Sequence, residues 1–187
     1  SNDCGCDYKT DSEKEMGTIS ISYTNSIIGE DERNYLRTLP AHIRVEFKNG
    51  EELITLLLVH GSPRKINEYL FEDRDEKSLL NIMEKANADI MCFGHTHKPY
   101  HRILSADGPA VPSFRHAINI GSVGKPKDGD PRGCYVILTI DERASMHQED
   151  SIQVDFIRFA YDVEKAACAI EGSVLPDDYA EMLRQGI

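Results

Sequence analysis

Two nearly continuous apolar segments, residues 53–59 and 88–93, form the strongest pattern in the sequence. Runs of this kind are typical of strands that are covered on both faces of a sheet. Between them, residues 75–87 place apolar side chains such as Leu79 and Met83 at helical spacing on one side. The order strand, helix, strand predicts a βαβ unit, in which the two strands are parallel and the crossover is right-handed.

The remaining segments predict strands and helices on both sides of this unit. The pair Asn49-Gly50 between apolar runs predicts a hairpin, in which residues 43–47 pair antiparallel with residues 53–59. The length of 187 residues favours a single domain over residues 1–187. Further strands are predicted over residues 100–104, 117–120, 133–140 and 152–159, and helices over residues 10–28, 30–39, 163–170 and 176–186. Residues 105–113 and the charged segment 125–132 are expected to be loops, and we assign the charged turns no functional role.

Histidines follow both strands of the predicted βαβ unit. His60 comes directly after the first strand, and Gly94-His95-Thr96-His97 follows the second. Parallel strands end at the same edge of a sheet, and open α/β sheets bind ligands beyond that edge. We therefore expect His60 and His95 side by side, with His97 one step further on. A single histidine is more often a core residue, but three at one edge favour metal binding, for which neutral imidazole is suited.

The charge balance limits the classes of partner. The chain has 21 basic and 32 acidic residues, with a net charge of -11. This argues against binding to a nucleic-acid backbone, which requires a basic surface. A phosphate substrate remains compatible, because bound divalent cations would reverse the local field. No segment approaches the length of a membrane span and no signal-peptide pattern opens the chain, so no membrane partner is expected.

The five cysteines predict a cytoplasmic protein rather than a disulfide-linked secreted one. Cys92 and Cys134 lie in apolar segments and are expected to be buried and reduced, while Cys168 lies in a predicted helix. Cys4 and Cys6 are too close in sequence for an easy disulfide.

Three motifs, in order, give the chain a family resemblance. They are Leu58-Val59-His60-Gly61-Ser62-Pro63, Phe93-Gly94-His95-Thr96-His97-Lys98-Pro99 and Asn119-Ile120-Gly121-Ser122-Val123-Gly124. The set resembles the calcineurin-like metallophosphoesterases, specifically their small prokaryotic predicted-phosphodiesterase branch. The resemblance implies an α/β fold (α+β in some schemes) built as a four-layer αββα sandwich, here lacking its first strand-helix units.

The resemblance also implies a two-metal cleft at the strand ends. His60 and His95 would ligate one divalent ion and His97 the other, the ions being manganese, zinc, iron or nickel. A metal-bound hydroxide would then hydrolyse a small phosphomonoester or phosphodiester. The candidates for substrate binding are Arg64, Asn119 and Ser122. Arg64 is equally well interpreted as a solvated loop charge, and Asn119 as a buried hydrogen-bonding residue.

Family members begin with strands that end in Asp-x-His, Gly-Asp and Gly-Asn-His/Tyr-Asp, which supply the other ligands and a carboxylate that bridges both metals. These motifs are not found in the sequence. The chain is therefore expected to represent the C-terminal two-thirds of such a domain, with the catalytic residues in the other part. Three histidines alone would hold a single ion, as three-histidine zinc sites do, or none. The alternative function is a non-catalytic scaffold of the same fold, and an exposed strand edge would favour a homodimer.

Overall fold

The computed structural model describes residue 6, residues 8–106 and residues 112–187. Cys4 and most of the predicted loop over residues 105–113 thus lie outside the described residues. Among the helices of the described ranges, none has both the length and the apolar character needed to cross a bilayer. In chain order the elements are α1 (Asp11–Ile27), α2 (Glu30–Thr38), β1 (Ile43–Asn49), β2 (Glu52–Leu58), α3 (Glu76–Lys85), β3 (Ile90–Phe93), β4 (Tyr100–Ala106), β5 (Ser113–Asn119), β6 (Gly133–Thr139), β7 (Gln153–Phe159), α4 (Val163–Glu171) and α5 (Asp178–Gln185).

A mixed five-stranded sheet forms the centre of the molecule, in the order β1-β2-β3-β5-β4. The strands β2, β3 and β5 are parallel, and the antiparallel strands β1 and β4 form the two edges. The predicted βαβ unit is confirmed as β2, α3 and β3. The predicted hairpin is confirmed as well, with Asn49 opposite Glu52 and Gly50 at a φ of 60° in the turn between them.

The two faces of this sheet are covered by different elements. On one face, Leu79, Ile82 and Met83 of α3 pack in one core with Leu57 and Met91 of the sheet. On the other face, the two-stranded antiparallel sheet of β6 and β7 packs in a second core that includes residues of β2, β3 and β5. A helix layer and two sheet layers are thus in contact, and the α/β fold expected from the resemblance is confirmed.

The strand β5 differs from its prediction. It runs from Ser113 to Asn119 rather than over residues 117–120, and pairs with the whole of β4. The polar side chains of Arg115 and His116 interrupt the apolar pattern, so the sequence predicts only the end of this strand. In the structure the Arg115 guanidinium donates to the carbonyl of Ala88 at 2.6 Å and pairs with Asp89 at 3.0 Å. Partners far away in the sequence therefore make an arginine acceptable in this strand.

Two of the cysteines are buried, as their apolar surroundings predict. Cys92 is 8% exposed and Cys134 is 2% exposed. Burial raises the pKa of the Cys92 thiol to about 12, so this group stays protonated and unreactive at neutral pH. The two thiols therefore contribute to packing.

A second pair of histidines is formed by one residue of β4 and one of β5. Nε2 of His101 is 3.0 Å from Nδ1 of His116, and the two rings are stacked. His116 is fully buried, and its Nε2 has no hydrogen-bond partner among the described residues. Burial, with a contribution from His101, lowers the pKa of His116 to about 4. The neutral form of His116 is therefore the one that fits the core.

We expect this histidine to make stability depend on pH. Between pH ~6.5 and ~4 the unfolded chain binds more protons than the folded one, so stability falls as the pH falls through this window. Full protonation would cost roughly 3 kcal/mol. Urea unfolding at pH 7 and pH 4.5 should show a smaller loss for His116→Leu than for the parent protein. If both proteins lose the same unfolding free energy between pH 7 and pH 4.5, His116 is not the source of the pH dependence.

Candidate metal centre

The candidate site lies at the edge where the three parallel strands end. The strands β2, β3 and β5 end at Leu58, Phe93 and Asn119. Beyond these ends the loops remain connected, because the amide of Gly94 donates to the carbonyl of His60 at 2.8 Å and that of Ile120 to the carbonyl of Phe93 at 2.8 Å. The motifs that follow the three strands are therefore neighbours.

His60 and His95 face each other across this edge. Nε2 of His60 is 3.1 Å from Nδ1 of His95, and the ring planes are inclined by 66°. Two imidazole nitrogens that share one zinc ion in tetrahedral geometry are about 3.3 Å apart, given Zn–N distances of ~2.0–2.1 Å. The nitrogen pair thus has the spacing that a shared ion requires.

His97 is oriented by a backbone carbonyl from another loop. Its Nδ1 donates a hydrogen bond to the carbonyl oxygen of Lys125 at 2.6 Å. This fixes the tautomer and leaves Nε2 with a free lone pair. Histidines that bind metals almost always donate their other ring nitrogen in this manner. His97 therefore has the hydrogen-bonding arrangement of a metal ligand. The sequence around His97 does not indicate that its partner is the carbonyl of Lys125.

The backbone of the two-histidine loop is held in a conformation of high energy. His95 and His97 have φ values of 67° and 60°, in the left-handed region that few residues other than glycine adopt. Each such residue costs on the order of 1–3 kcal/mol and persists only where surrounding contacts impose it. Strain of this kind concentrates at functional sites.

Asn119 supplies those contacts. Its side-chain amide nitrogen donates to Thr96 Oγ1 at 2.8 Å and to the carbonyl of Gly94 at 3.2 Å, and its oxygen accepts from the amide of Gly121 at 3.1 Å. Asn119 is fully buried. It therefore occupies the hydrogen-bonding role considered from the sequence, and positions the loop that carries both histidines.

The environment favours the neutral, ligand form of both histidines in this loop. Burial lowers the pKa of His95, and the neighbouring charges of His60, His97 and Lys127 lower it further. Burial also lowers the pKa of His97, although the hydrogen bond to Lys125 acts in the opposite direction. Since protons compete with metals for imidazole, both residues remain available as ligands to lower pH than an exposed histidine.

Gly61 lets the loop after β2 fold back close to His60. A Cβ atom on Gly61 would lie 2.5 Å from the carbonyl oxygen of Ile66 and 2.8 Å from that of Glu68. Both obstacles are backbone atoms, so no side-chain movement would relieve the overlap. Glycine at this position therefore lets the backbone of residues 66–68 pack directly against Gly61, next to His60.

Within this loop, Arg64 has a carboxylate partner. Its Nε donates to Glu68 Oε2 at 3.0 Å, a second guanidinium nitrogen contacts Glu68 Oε1, and Ser62 Oγ donates to the same carboxylate at 2.5 Å. Burial acts to raise the pKa of Glu68, but Arg64 and Ser62 outweigh it and hold the pKa below its usual range. The charge of Arg64 is thus compensated inside the loop, and its role in substrate binding stays a prediction.

Aromatic rings that sequence reasoning missed lie against the site. The ring of Tyr69 is 4.2 Å from that of His95, and Phe71 stacks on Tyr69 at 5.7 Å with an interplanar angle of 10°. The sequence signal for these rings was a tyrosine and a phenylalanine two residues apart in the loop that follows His60. The Tyr69 ring covers one side of His95 and restricts its rotation.

The histidines do not converge into a single group of three. Within the ranges that the structure describes, no cluster of three or more histidine, cysteine or acidic side chains is placed to hold an ion. His60 and His95 form the close pair, and His97 lies in the adjoining loop. Ser122 Oγ accepts from the amide of Lys125 at 3.0 Å, next to the carbonyl that orients His97. Its contact with substrate also stays a prediction.

Comparisons with known proteins agree with this architecture. The family model described as the calcineurin-like phosphoesterase superfamily domain matches residues 6–143. An uncharacterized protein of Methanocaldococcus jannaschii is 27% identical over 181 residues, which are 92% of this chain and 67% of that protein.

Two crystal structures have similar folds. A metallophosphoesterase from Sphaerobacter thermophilus has a TM-score of 0.67 at 25% identity, covering 89% of this chain and 67% of that one. A hypothetical protein from Pyrococcus horikoshii has a TM-score of 0.69 at 21% identity, covering 92% of this chain and 61% of that one. The chain thus spans between 61% and 67% of the length of these relatives.

Proposed function

The chain belongs to the calcineurin-like phosphoesterase superfamily, and from that membership we propose that it is a metal-dependent phosphoesterase acting on a phosphomonoester or phosphodiester. The observation that supports this most directly is the 3.1 Å separation of the His60 and His95 nitrogens at the carboxyl edge of the sheet. The carbonyl-oriented imidazole of His97 supports it independently.

Each residue of the site has a defined task in this proposal. His60 and His95 would each ligate one ion through a ring nitrogen, and Nε2 of His97 would ligate a second. Manganese, zinc, iron and nickel all suit imidazole ligands. Divalent ions bound there would supply an activated water and counter-charge for a phosphoryl group. Asn119 keeps the strained loop in place, and Tyr69 shields one side of His95 from water.

One observation favours a different function, that of a non-catalytic scaffold of the same fold. Within the described residues, no acidic side chain joins the histidines in a ligand group. A two-metal centre of the type proposed needs a bridging ligand, which carboxylates commonly supply. A scaffold would retain the histidines while binding no ion tightly, so metal content separates the two functions.

The test is hydrolysis after metal removal and replacement. The protein is stripped with a chelator, dialysed, and assayed on p-nitrophenyl phosphate and bis-p-nitrophenyl phosphate with manganese or zinc added back. We expect hydrolysis of at least one ester that depends on the added metal. Stoichiometric metal in the purified protein, measured by mass spectrometry, would support the enzyme. Absence of hydrolysis with manganese, zinc, iron and nickel alike would overturn the proposal.

We also propose a cytoplasmic location, in keeping with thiols that are kept reduced. Cys92 and Cys134 are unpaired inside the core, where they contribute to packing. Intracellular reducing conditions preserve thiols of this kind.

A further inference from the structure

The charged turn over residues 125–132 is attached to the candidate site. The carbonyl of Lys125 accepts from Nδ1 of His97 at 2.6 Å, and the amide of Lys127 donates to the carbonyl of His97 at 3.2 Å. The amide of Lys125 in turn donates to Ser122 Oγ at 3.0 Å. From the sequence this turn received no functional role, but these three bonds fix it beside a proposed metal ligand.

The acidic side chains of the turn already have partners. Asp128 is paired with Arg158, and Asp130 is paired with Arg132 at 2.6 Å. The two lysines of the turn take part in no ion pair within the described ranges. Neither aspartate of the turn therefore compensates the charge of its two lysines.

The two lysines differ in their surroundings. Lys125 is half-buried, and its ammonium lies 4.6 Å from the ring centre of Tyr179 in α5, which links the turn to the C-terminal helix. The side chain of Lys127 is exposed. Its backbone amide is the one that donates to the carbonyl of His97, so its side chain leaves the backbone next to the site. Lys127 is thus the exposed cation at the rim of the site, and the contacts of Lys125 hold the turn in place.

Arg64 differs from Lys127 because its charge already has a partner. It lies in the loop after His60, but its guanidinium is engaged by the Glu68 carboxylate. An ammonium without an ion-pair partner binds an incoming phosphate without first breaking an internal bond. None of the lysines in the described residues takes part in an ion pair, so Lys127 is distinguished by its place, with its amide bonded to the carbonyl of His97.

We propose that Lys127 binds the non-bridging oxygens of the substrate's phosphoryl group, the role that the sequence suggested for Arg64. This assignment rests on the proposed function, since it presumes that a phosphoryl group is bound beside the histidines. Lysine acts here as a point charge, whose hydrogen bonds to phosphate are strengthened by the opposite charges. The exposed position of Lys127 lets its ammonium reach a substrate that enters from solvent.

The experiment measures affinity for inorganic phosphate by calorimetry, in both the metal-free and the metal-loaded protein. We expect Lys127→Gln to weaken phosphate binding about tenfold and to raise the KM for p-nitrophenyl phosphate more than it lowers kcat. Lys127→Arg should restore most of the affinity, because it restores the charge. Arg64→Gln should stay within about twofold of the parent. Lys48→Gln, an exposed lysine near the hairpin turn at the other end of β2, is the matched control.

The outcomes separate this inference from the proposed function. If the parent protein hydrolyses the ester but Lys127→Gln binds phosphate as tightly as the parent, only the role of Lys127 is overturned. Phosphate binding that depends on Lys127 in a protein without hydrolysis would overturn the proposed enzyme and leave the anion site standing. A parent protein that binds no phosphate in either state would overturn the inference, and so would a loss seen with Arg64→Gln in place of Lys127→Gln.

Discussion

Replacing His95 with alanine is expected to remove the bound ion and abolish hydrolysis while the fold survives. The substitution deletes one of the two nitrogens that lie 3.1 Å apart, so the remaining imidazole of His60 would hold an ion alone. Loss of an outer partner of a metal ligand typically costs 10–100-fold in affinity, and loss of a ligand itself should cost at least ~100-fold. The Asn119 hydrogen bonds that hold the loop use Gly94, Thr96 and Gly121, so they do not depend on the imidazole.

Metal content by mass spectrometry and a thermal melt of the same sample check this expectation together. His147→Ala is the matched control, because His147 is an exposed histidine in the connection between β6 and β7. That connection contacts the end of the sheet at which β2 begins, opposite the candidate site, since the amide of Met146 donates to Glu52 there. The control should keep its metal. If His95→Ala unfolds the protein while metal content is unchanged, His95 is a structural residue and the metal-site interpretation fails.

The central part of the fold was predictable because its signals are local. Continuous apolar runs identified β2 and β3, helical spacing identified α3, and Asn49-Gly50 identified the hairpin turn. Parallel pairing of the two strands follows from the order of these elements and brings His60 and His95 to one edge. Short local patterns in the sequence were therefore enough to predict the position of this histidine pair.

The supporting contacts of the site were not predictable in this way. The carbonyl that orients His97 belongs to Lys125, the ring that covers His95 belongs to Tyr69, and both lie more than twenty residues away along the chain. Neither contact leaves a periodic pattern in the sequence. Arg64 illustrates a related difficulty, because its position beside a motif suggests a substrate contact but does not reveal its Glu68 partner. Such pairings depend on loop geometry, which hydrophobic patterns do not specify.

The largest expected loss of stability comes from Leu57→Ala. Leu57 is 2% exposed in the middle of the sheet, beside Met91 of β3, and packs in the same core as the apolar side chains of α3. Truncation of a buried leucine removes favourable transfer free energy and leaves a cavity, at a cost of roughly 2–5 kcal/mol. Urea unfolding monitored by circular dichroism would measure the change in unfolding free energy.

Leu53→Ala tests whether the loss of stability in Leu57→Ala arises because α3 packs on that part of β2. Side chains alternate along a strand, so Leu53 lies on the same face of β2 as Leu57, four residues earlier. It is nevertheless 58% exposed, because it lies near the hairpin end of the strand and outside the α3 core. The same substitution there should change stability by no more than about 0.5 kcal/mol. Equal losses at both positions would mean that another segment covers the whole face of β2, and the boundary of this core would have to be redrawn.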